Sequence, residues 1–521
     1  MKARHDIYWT QGLHRALQQQ PDGIATIFGE RTRTFTEQAD RVARLAGALR
    51  ELGVRDGARV GILGLNSDRL AEAALAIPWA DGVIDVVDIV RAPFEMAPML
   101  AEAETSILLV DDAFAGFVPQ IRAAYAGLRS VIHMGDGPPP ADTTAFEALI
   151  AGTAPVPDAR RGGDELAALV HTGGTTELPK AVMHTGGSML SLAQAFGATL
   201  PEFVRPGTRL LQVTPMSHVS GVGTCLATSQ YGNTLVPLPR FDPAVVLEMV
   251  EAHRITAMFV VPSMLQQVVD HPDAARRDLD SLRLVFYGGS PITERLLERT
   301  EAVFPHAGFG QVYGMTETMS CTLMTPADHR PGPQRRSAGR TAIHSELRVV
   351  DADDVDVPTG TPGEILLRGP GVMQGYWNDP DATTQVLRGG WVHTGDIGYL
   401  DEAGYVYVVD RVKDVIVVGG DNVHSTEVEN ALASHHDVAA CAVIGVPDDG
   451  TGEQVHAVVV PRPGASPDPE QLAKHCAAYL AEFKVPKGWE FVEALPTSPT
   501  GKVLKRELRK PHWEGRERQV N

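Results

Sequence analysis

The 521-residue chain is poor in several things, and each shortage excludes something. Its four cysteines, Cys225, Cys321, Cys441 and Cys476, stand too far apart for a disulfide framework or a paired-cysteine metal knuckle, so all four read as buried, reduced core residues. No stretch approaches the roughly 18 uninterrupted apolar residues of a membrane span. The opening MKARHDIYWTQGLHRALQQQ lacks the apolar segment of a secretory signal, so the expected location is the cytoplasm, away from membranes. Basic residues are the minority, 46 against 65 acidic, and the net charge of -19 repels polyanions, which argues against nucleic-acid partners. Gly and Pro, 51 and 37, stay below the roughly 25% that marks low complexity. What is present is ordinary globular usage, 43% hydrophobic and 21% charged, on a chain longer than one core supports. At roughly 150 residues per domain, two to four folded units are expected.

Over 35–53 apolar residues fall at Val42, Leu45, Ala46, Leu49 and Leu52, the stripe of a core-facing helix ending at a glycine. Short apolar runs at 59–63, 107–110, 166–170, 258–261 and 282–287 read as buried strands, mostly separated by helical patterns. That alternation predicts an α/β class with layered, largely parallel sheets, whose ligands sit at the strand carboxyl ends. Between about 346 and 409 the texture changes to strands and tight turns, which predicts a small antiparallel or β-barrel-like unit. After Asp410 come helices at 425–433 and 469–483 and strands near 439–444 and 455–460. The expected division is a nucleotide- and acyl-binding domain over 1–410, a hinge at 411–413, and a small mobile α+β domain over 414–521.

The strand at 166–170 runs straight into HTGGTTELPKAVMH. Glycines and hydroxyl residues after a strand present backbone N–H groups and side-chain donors to one anion, as phosphate-holding loops do. The loop is not the kinase-type GxxxxGK[ST], because Pro179-Lys180-Ala181 replaces Gly-Lys-Ser/Thr. Six further segments follow in order: PMSHVSG (215–221), YGGSPIT (287–293), QVYGMTE (311–317), GEILLRGPGVMQGYW (363–377), WVHTGDIGYLDEAGYVYVVDRVKDVIVVGGDNVHSTEVE (391–429) and PTSPTGK (496–502). On these segments, which span nearly the whole chain, the protein resembles the AMP-forming acyl-CoA ligases of the adenylate-forming superfamily.

The resemblance implies formation of an acyl-adenylate from a carboxylate and Mg-ATP, then rotation of the small domain and displacement of AMP by CoA. It implies that Thr172, Gly173, Gly174, Thr175, Thr176 and Lys180 form the phosphate loop. Tyr313, followed by Gly314 and Met315, would stack on adenine, and Gly288, Gly289 and Ser290 would line the adenine pocket and the acyl edge. Asp396 would accept the ribose hydroxyls beside Arg411, Thr316 would touch the α-phosphate, and Glu317 would hold Mg²⁺, a hard cation suited to oxygen ligands. Lys502 matches the mobile lysine of adenylation, His218 a channel gate, Lys413 the hinge residue, and Gly419 and Gly420 the pantetheine tunnel.

Two positions depart from the family's loop: Glu177 and Ala181 stand where it has glycine. Glycine serves where backbone needs positive φ or close approach to a ligand, so both changes are expected to tighten or distort the loop. A Glu177 carboxylate about 4 Å from the β- and γ-phosphates would be repelled by roughly 4 kcal/mol per charge pair at an effective dielectric of about 20. An acyl-adenylate has already lost pyrophosphate. The expected enzyme is therefore an acid–thiol ligase that makes acyl-CoA from acyl-AMP and CoA, with adenylation impaired, Mg²⁺ needed only if adenylation occurs, and a separate adenylating enzyme as partner. The alternative is a complete synthetase; a carrier-protein-loading unit and a catalytically dead binding protein are the competing classes. Small residues at Gly221, Val222, Gly223, Gly288 and Gly289 suggest room for a bulky apolar acyl group. The altered loop is also similar to that of a ligase of the platensimycin-type diterpenoid antibiotic pathway, which would imply a terpenoid acid.

Overall fold

In the computed structural model, which describes residues 7–172, 179–497 and 503–514, the helical stripe at 35–53 forms the helix Phe35–Glu51. Thr34 caps it: the Glu37 N–H donates to the Thr34 hydroxyl while the Glu37 carboxylate accepts from the Thr34 N–H, which satisfies two otherwise orphaned donors. Val42, Leu45, Ala46 and Leu49 are fully buried on its inner face, each large side chain contributing about 1.5–3 kcal/mol. The expected strands Arg59–Leu63 and Ile107–Val110 are present with those bounds, and Leu166–His171, Ala257–Val260 and Leu284–Gly288 lie within a few residues of theirs.

Two large sheets organise the first part of the chain. One has eight strands, with Ser130–His133, Ile107–Val110, Arg59–Leu63, Val83–Val86 and Leu166–His171 parallel, then Ala181–Thr185 and Gly375–Tyr376 added antiparallel at one edge. The other has nine, with a parallel centre that includes Arg209–Gln212, Ala257–Val260, Leu284–Gly288 and Gly308–Met315. Behind Leu284–Gly288, Phe286 stacks on Phe259 at 4.9 Å and meets Phe196 and Phe203 edge-on, contacts worth about 0.5–1.5 kcal/mol each beyond burial. Asn66 ties the two sheets together. Its amide donates to the carbonyls of Gln212, Thr214 and Leu238, and its Oδ1 accepts from the Met216 N–H.

The strand-and-turn texture becomes a four-stranded antiparallel sheet of Glu346–Val350, Gly363–Arg368, Val392–Leu400 and Val406–Arg411. Among the described residues its outer strands do not pair with each other, so the unit is an antiparallel sheet rather than a closed barrel. A short 3₁₀ turn, Val412–Asp414, leads into a five-stranded sheet flanked by helices Ser425–Ala433, Pro469–Ala477 and Lys505–Trp513. The expected helix at 469–483 stops at Ala477, and Glu482–Lys484 is a separate 3₁₀ turn. All four cysteines are free; Cys225, Cys321 and Cys476 are buried and Cys441 is partly covered. No described helix is long and apolar enough to cross a membrane.

Candidate active site

The phosphate-type loop joins Leu166–His171 to Ala181–Thr185, and its base is closed by the Thr172 N–H donating to the Lys180 carbonyl at 2.9 Å. Gly173, Gly174, Thr175, Thr176 and Glu177 lie outside the described residues. Ala181 is described, and it corrects one expectation. It pairs opposite His171 in regular antiparallel register, its carbonyl accepts from the Trp377 N–H at 2.8 Å, and its methyl is buried with Val83, Ala103 and Leu169. Nothing there requires positive φ, so a glycine's conformational freedom is not needed at 181.

The hairpin Gly308–Met315/Met319–Met324 carries the next group. A bulge at Tyr313/Gly314 re-aims the strand, and Gly314 is required there, because a Cβ would fall 1.6 Å from the Met319 carbonyl oxygen. Met319 itself takes φ 58°, the left-handed region, as the chain turns. The bulge brings the Tyr313 hydroxyl to Asp396, to which it donates at 2.8 Å; Arg411, opposite Asp396 on the neighbouring strand of the four-stranded sheet, forms an ion pair with the other carboxylate oxygen at 3.1 Å. Burial, then the neighbouring carboxylate, hold the Tyr313 phenol protonated, so it stays a donor. Gly288 pairs with Val312 on the adjacent strand, where a Cβ would come 2.5 Å from the Val312 carbonyl oxygen; Gly289 follows at φ 82°, with Ser290 after it.

At the hairpin tip Thr316 is partly exposed and Glu317 buried at 7% exposure. The Tyr376 hydroxyl donates to Glu317 Oε1 at 2.7 Å, and Lys180 Nζ stands 4.9 Å over the Tyr376 ring and 3.6 Å from Asp379. Burial pushes the Glu317 carboxyl above its ordinary value, opposed by the Tyr376 donor and by the charges of Arg411 and Lys180. A buried carboxylate beside a hydroxyl is a hard oxygen donor set, which fits Mg²⁺. Beneath the tip, His184 donates from Nε2 to the Thr316 carbonyl at 2.8 Å, and burial lowers its pKa to about 4. Sequence reasoning passed over His184, Tyr376 and Asp379, although the first two lie inside recognised segments.

His218 caps the helix Val219–Tyr231, accepting from the Ser220 N–H at Nδ1. The Cβ direction of Gly221 is filled by the Pro215 carbonyl at 2.0 Å and that of Gly223 by Leu192 at 2.5 Å. Those two glycines let the chain pack on itself, which removes them from the argument for a roomy acyl pocket. In the turn Val412–Asp414, Arg509 donates to the Lys413 carbonyl at 2.9 Å and pairs with Asp414. Burial lowers the Lys413 pKa. Asp410 accepts from the Ser425 N–H and hydroxyl, and Lys505 bridges Ser425 and the half-buried Glu429 at 2.6 and 2.7 Å. Gly419 and Gly420, at φ 62° and 95°, form the exposed two-residue turn of the hairpin Ile416–Val418/Asp421–Val423, apart from the Tyr313 and Glu317 groups. Lys502 lies outside the described residues.

A bulged hairpin, a buried carboxylate held by a phenol and a guanidinium, and a glycine-threonine loop, set at the edges of two α/β sheets with a small domain after a short turn, define an adenylate-forming enzyme. The chain belongs to the AMP-binding enzymes: the "AMP-binding enzyme" family matches residues 13–377 and the "AMP-binding enzyme C-terminal domain" matches 427–502. It is 36% identical over 501 residues to a feruloyl-CoA synthase of an Amycolatopsis species, covering 95% of this chain and 97% of the relative. It is 34% identical over 508 residues to the fatty acid–[acyl-carrier-protein] ligase ScoC of Streptomyces coeruleorubidus, covering 97% and 96%. The amide bond synthetase McbA of Marinactinospora thermotolerans superposes with TM-score 0.86 at 31% identity, covering 96% of this chain and 99% of that one. By kinship, then, the chain is an acyl-CoA-ligase-type enzyme. The three names differ in acceptor, so membership alone does not choose among thiol, carrier protein and amine.

Proposed function

We propose that the enzyme transfers an acyl group from an acyl-adenylate to CoA, and that its ATP-dependent adenylation step is impaired by Glu177. In the transfer, the CoA thiolate attacks the acyl carbonyl carbon, the carbon–oxygen bond to phosphate breaks, and AMP leaves. Asp396 accepts the ribose hydroxyls; a carboxylate has about four lone-pair sites, so Tyr313 and Arg411 do not exhaust it. We assign adenine to the side of Tyr313 lined by Gly288, Gly289 and Ser290, with Gly314 and Met315 behind, the α-phosphate to Thr316, and the pantetheine arm to Gly419 and Gly420 after the small domain turns about Lys413. His218 gates the channel. Mg²⁺, held by Glu317, and Lys502 belong to whatever adenylation remains; Mg²⁺ would supply charge neutralisation on the phosphates.

The observation that carries the reading is the charge balance at the tail end of the site. Lys180, the described cation of the loop, already stands 3.6 Å from Asp379 and faces the buried Glu317 across the Tyr376 ring. Glu177 adds a further negative charge to a loop that has little positive charge to spare. The second reading, a complete synthetase, is favoured by the unstrained backbone at Ala181. The two separate in one assay. Purified enzyme receives either acid, ATP, Mg²⁺ and CoA, or the synthetic acyl-AMP of the same acid plus CoA, across bulky apolar fatty, aromatic and polycyclic acids. Thioester formation at least about tenfold faster from acyl-AMP supports the first reading, since about 1.4 kcal/mol of the repulsion is enough for that factor. Equal rates from both routes support the complete synthetase. Glu177→Gln then tests charge against backbone: it restores pyrophosphate release if repulsion is the cause, whereas restoration by Glu177→Gly alone would make backbone freedom the cause.

A further inference from the structure

On the small domain three side chains from three elements converge. His456 lies on strand Gly452–Pro461, Glu490 on the adjoining parallel strand Gly488–Phe491, and His512 near the end of helix Lys505–Trp513. Their ligating atoms all lie within 4.8 Å of one another. The strand register places Gly488 beside His456, and a Cβ there would fall 2.3 Å from His456 Nδ1, so the glycine opens the space the imidazole fills. His456 is nine-tenths buried, yet its Nε2 has no hydrogen-bond partner; the nearest carboxylate oxygen, on Glu490, is 4.0 Å away, beyond bonding reach. Buried polar atoms are almost always bonded, and one left open toward a second imidazole and a carboxylate is what a ligand position looks like before the ligand arrives. The His456 and His512 rings stand 4.8 Å apart, inclined at 53°, at the wall of a hollow that Val446, Pro447 and Trp489 complete.

We propose that His456, Glu490 and His512 bind a divalent transition metal ion of the zinc class, stapling helix Lys505–Trp513 to the sheet of the small domain. Two imidazoles and one carboxylate are borderline ligands that suit zinc, cobalt or nickel over magnesium or calcium. Zinc bonds of about 2.0–2.1 Å in tetrahedral geometry bring ligand atoms to about 3.4 Å of one another, so the cluster must contract. Glu490 is exposed and His512 partly so, which leaves both free to rotate inward while His456 stays fixed. Water completes the fourth position from the open side. The consequence reaches the active site through the chain, because the stapled helix starts just after the PTSPTGK segment and carries Lys505 and Arg509, which hold Ser425, Glu429 and the hinge.

The test uses the full chain without a histidine tag, stripped of metal with a chelator and free of nucleotide, titrated with Co²⁺ and with Zn²⁺. A visible ligand-field absorption of tetrahedral type with Co²⁺, displaced by Zn²⁺, is expected. Zn²⁺ should raise the thermal unfolding midpoint and slow amide exchange across 505–513. His512→Gln and Glu490→Gln should each weaken Co²⁺ binding at least about tenfold. Unchanged AMP binding and far-ultraviolet dichroism show that these variants still fold. The group His435, His436 and Asp437, of which His436 is exposed, is the internal control: His436→Gln should change nothing. Absence of the absorption band, its survival in the His512→Gln, Glu490→Gln double variant, or its loss in His436→Gln instead would overturn the proposal.

Discussion

His184 gives the sharpest physical expectation, because it is fully buried, donates to the Thr316 carbonyl, and has its pKa lowered from 6.5 to about 4 by desolvation. Between those values the unfolded chain takes up a proton that the folded protein refuses. Stability tied to this residue is therefore present in full above pH about 6.5 and falls as the pH drops toward about 4. Over pH about 7.5 to about 4.5 the loss from this one group is roughly 2.5 kcal/mol, at 1.36 kcal/mol per pKa unit. His184→Gln removes the titration but keeps an amide N–H that can reach the same carbonyl. The variant is expected to lose no more than about 1.5 kcal/mol at neutral pH, the net worth of a hydrogen bond, and to show a pH slope shallower by roughly 2.5 kcal/mol across the window. His329, also lowered to about 4 by burial, contributes equally to both proteins and cancels in the difference. Denaturant unfolding at matched pH values measures it. If the variant loses as much stability on acidification as the parent, the neutral buried histidine under Thr316 is not the origin of the pH dependence and the reasoning fails.

Tyr376→Phe removes the donor to Glu317 Oε1 and should cost about 1.5–3 kcal/mol at neutral pH, the worth of a hydrogen bond to a charged group. Because burial raises the Glu317 pKa, this residue's contribution to stability falls as pH rises through the raised value, so the cost of the variant should shrink in acid, as paired unfolding curves would show. Asp396→Asn changes the group that holds both Tyr313 and Arg411, and calorimetry should find AMP binding weakened at least about tenfold, with Tyr313→Phe milder. Arg509→Met removes the donors to the Lys413 carbonyl and Asp414; faster amide exchange at 412–414 and 505–513, with AMP affinity unchanged, is the expected signature.

Much of this was legible along the chain because it is local. The helix at 35–53, the strands at 59–63 and 107–110 and the small-domain helix at 425–433 each carry their own periodicity and stop signals. Asp396 and Arg411 are cross-strand partners, which hairpin spacing nearly dictates. What stayed hidden depends on distant juxtaposition. Tyr376 reaches Glu317 only because Gly375–Tyr376 adds to the edge of Ala181–Thr185, some two hundred residues earlier in sequence. His184 is buried on a strand that reads as apolar, and no spacing pairs it with Thr316. Ala181 was misjudged for a related reason: glycine in a motif suggests a backbone requirement, whereas the edge strand here is regular and takes a methyl without strain.

That correction sharpens the case for a divided catalyst. With Ala181 relaxed, backbone shape at 181 no longer argues against ATP, and the proposal falls on Glu177, whose charge and backbone the Gln and Gly variants separate. The two groups of the site are held by different partners, although Glu317 sits at the tip of the hairpin that carries Tyr313. Tyr313, Asp396 and Arg411 are held by the bulged hairpin and by the Val392–Leu400/Val406–Arg411 ladder, neither of which includes the glycine-threonine loop. Lys180, Tyr376, Asp379 and Glu317 form a separate chain at the loop's base, where Lys180 is shared among acidic neighbours. On the proposed reading, an added negative charge in the loop would act most strongly on a ligand that carries the β- and γ-phosphates, which an acyl-adenylate has already lost. Screening falls off over about 8–10 Å at ordinary ionic strength, so a single phosphate held on the Thr316 side feels a fraction of what a triphosphate tail would. On the proposed reading, one side chain would silence the first half-reaction and leave the second with its nucleoside contacts untouched.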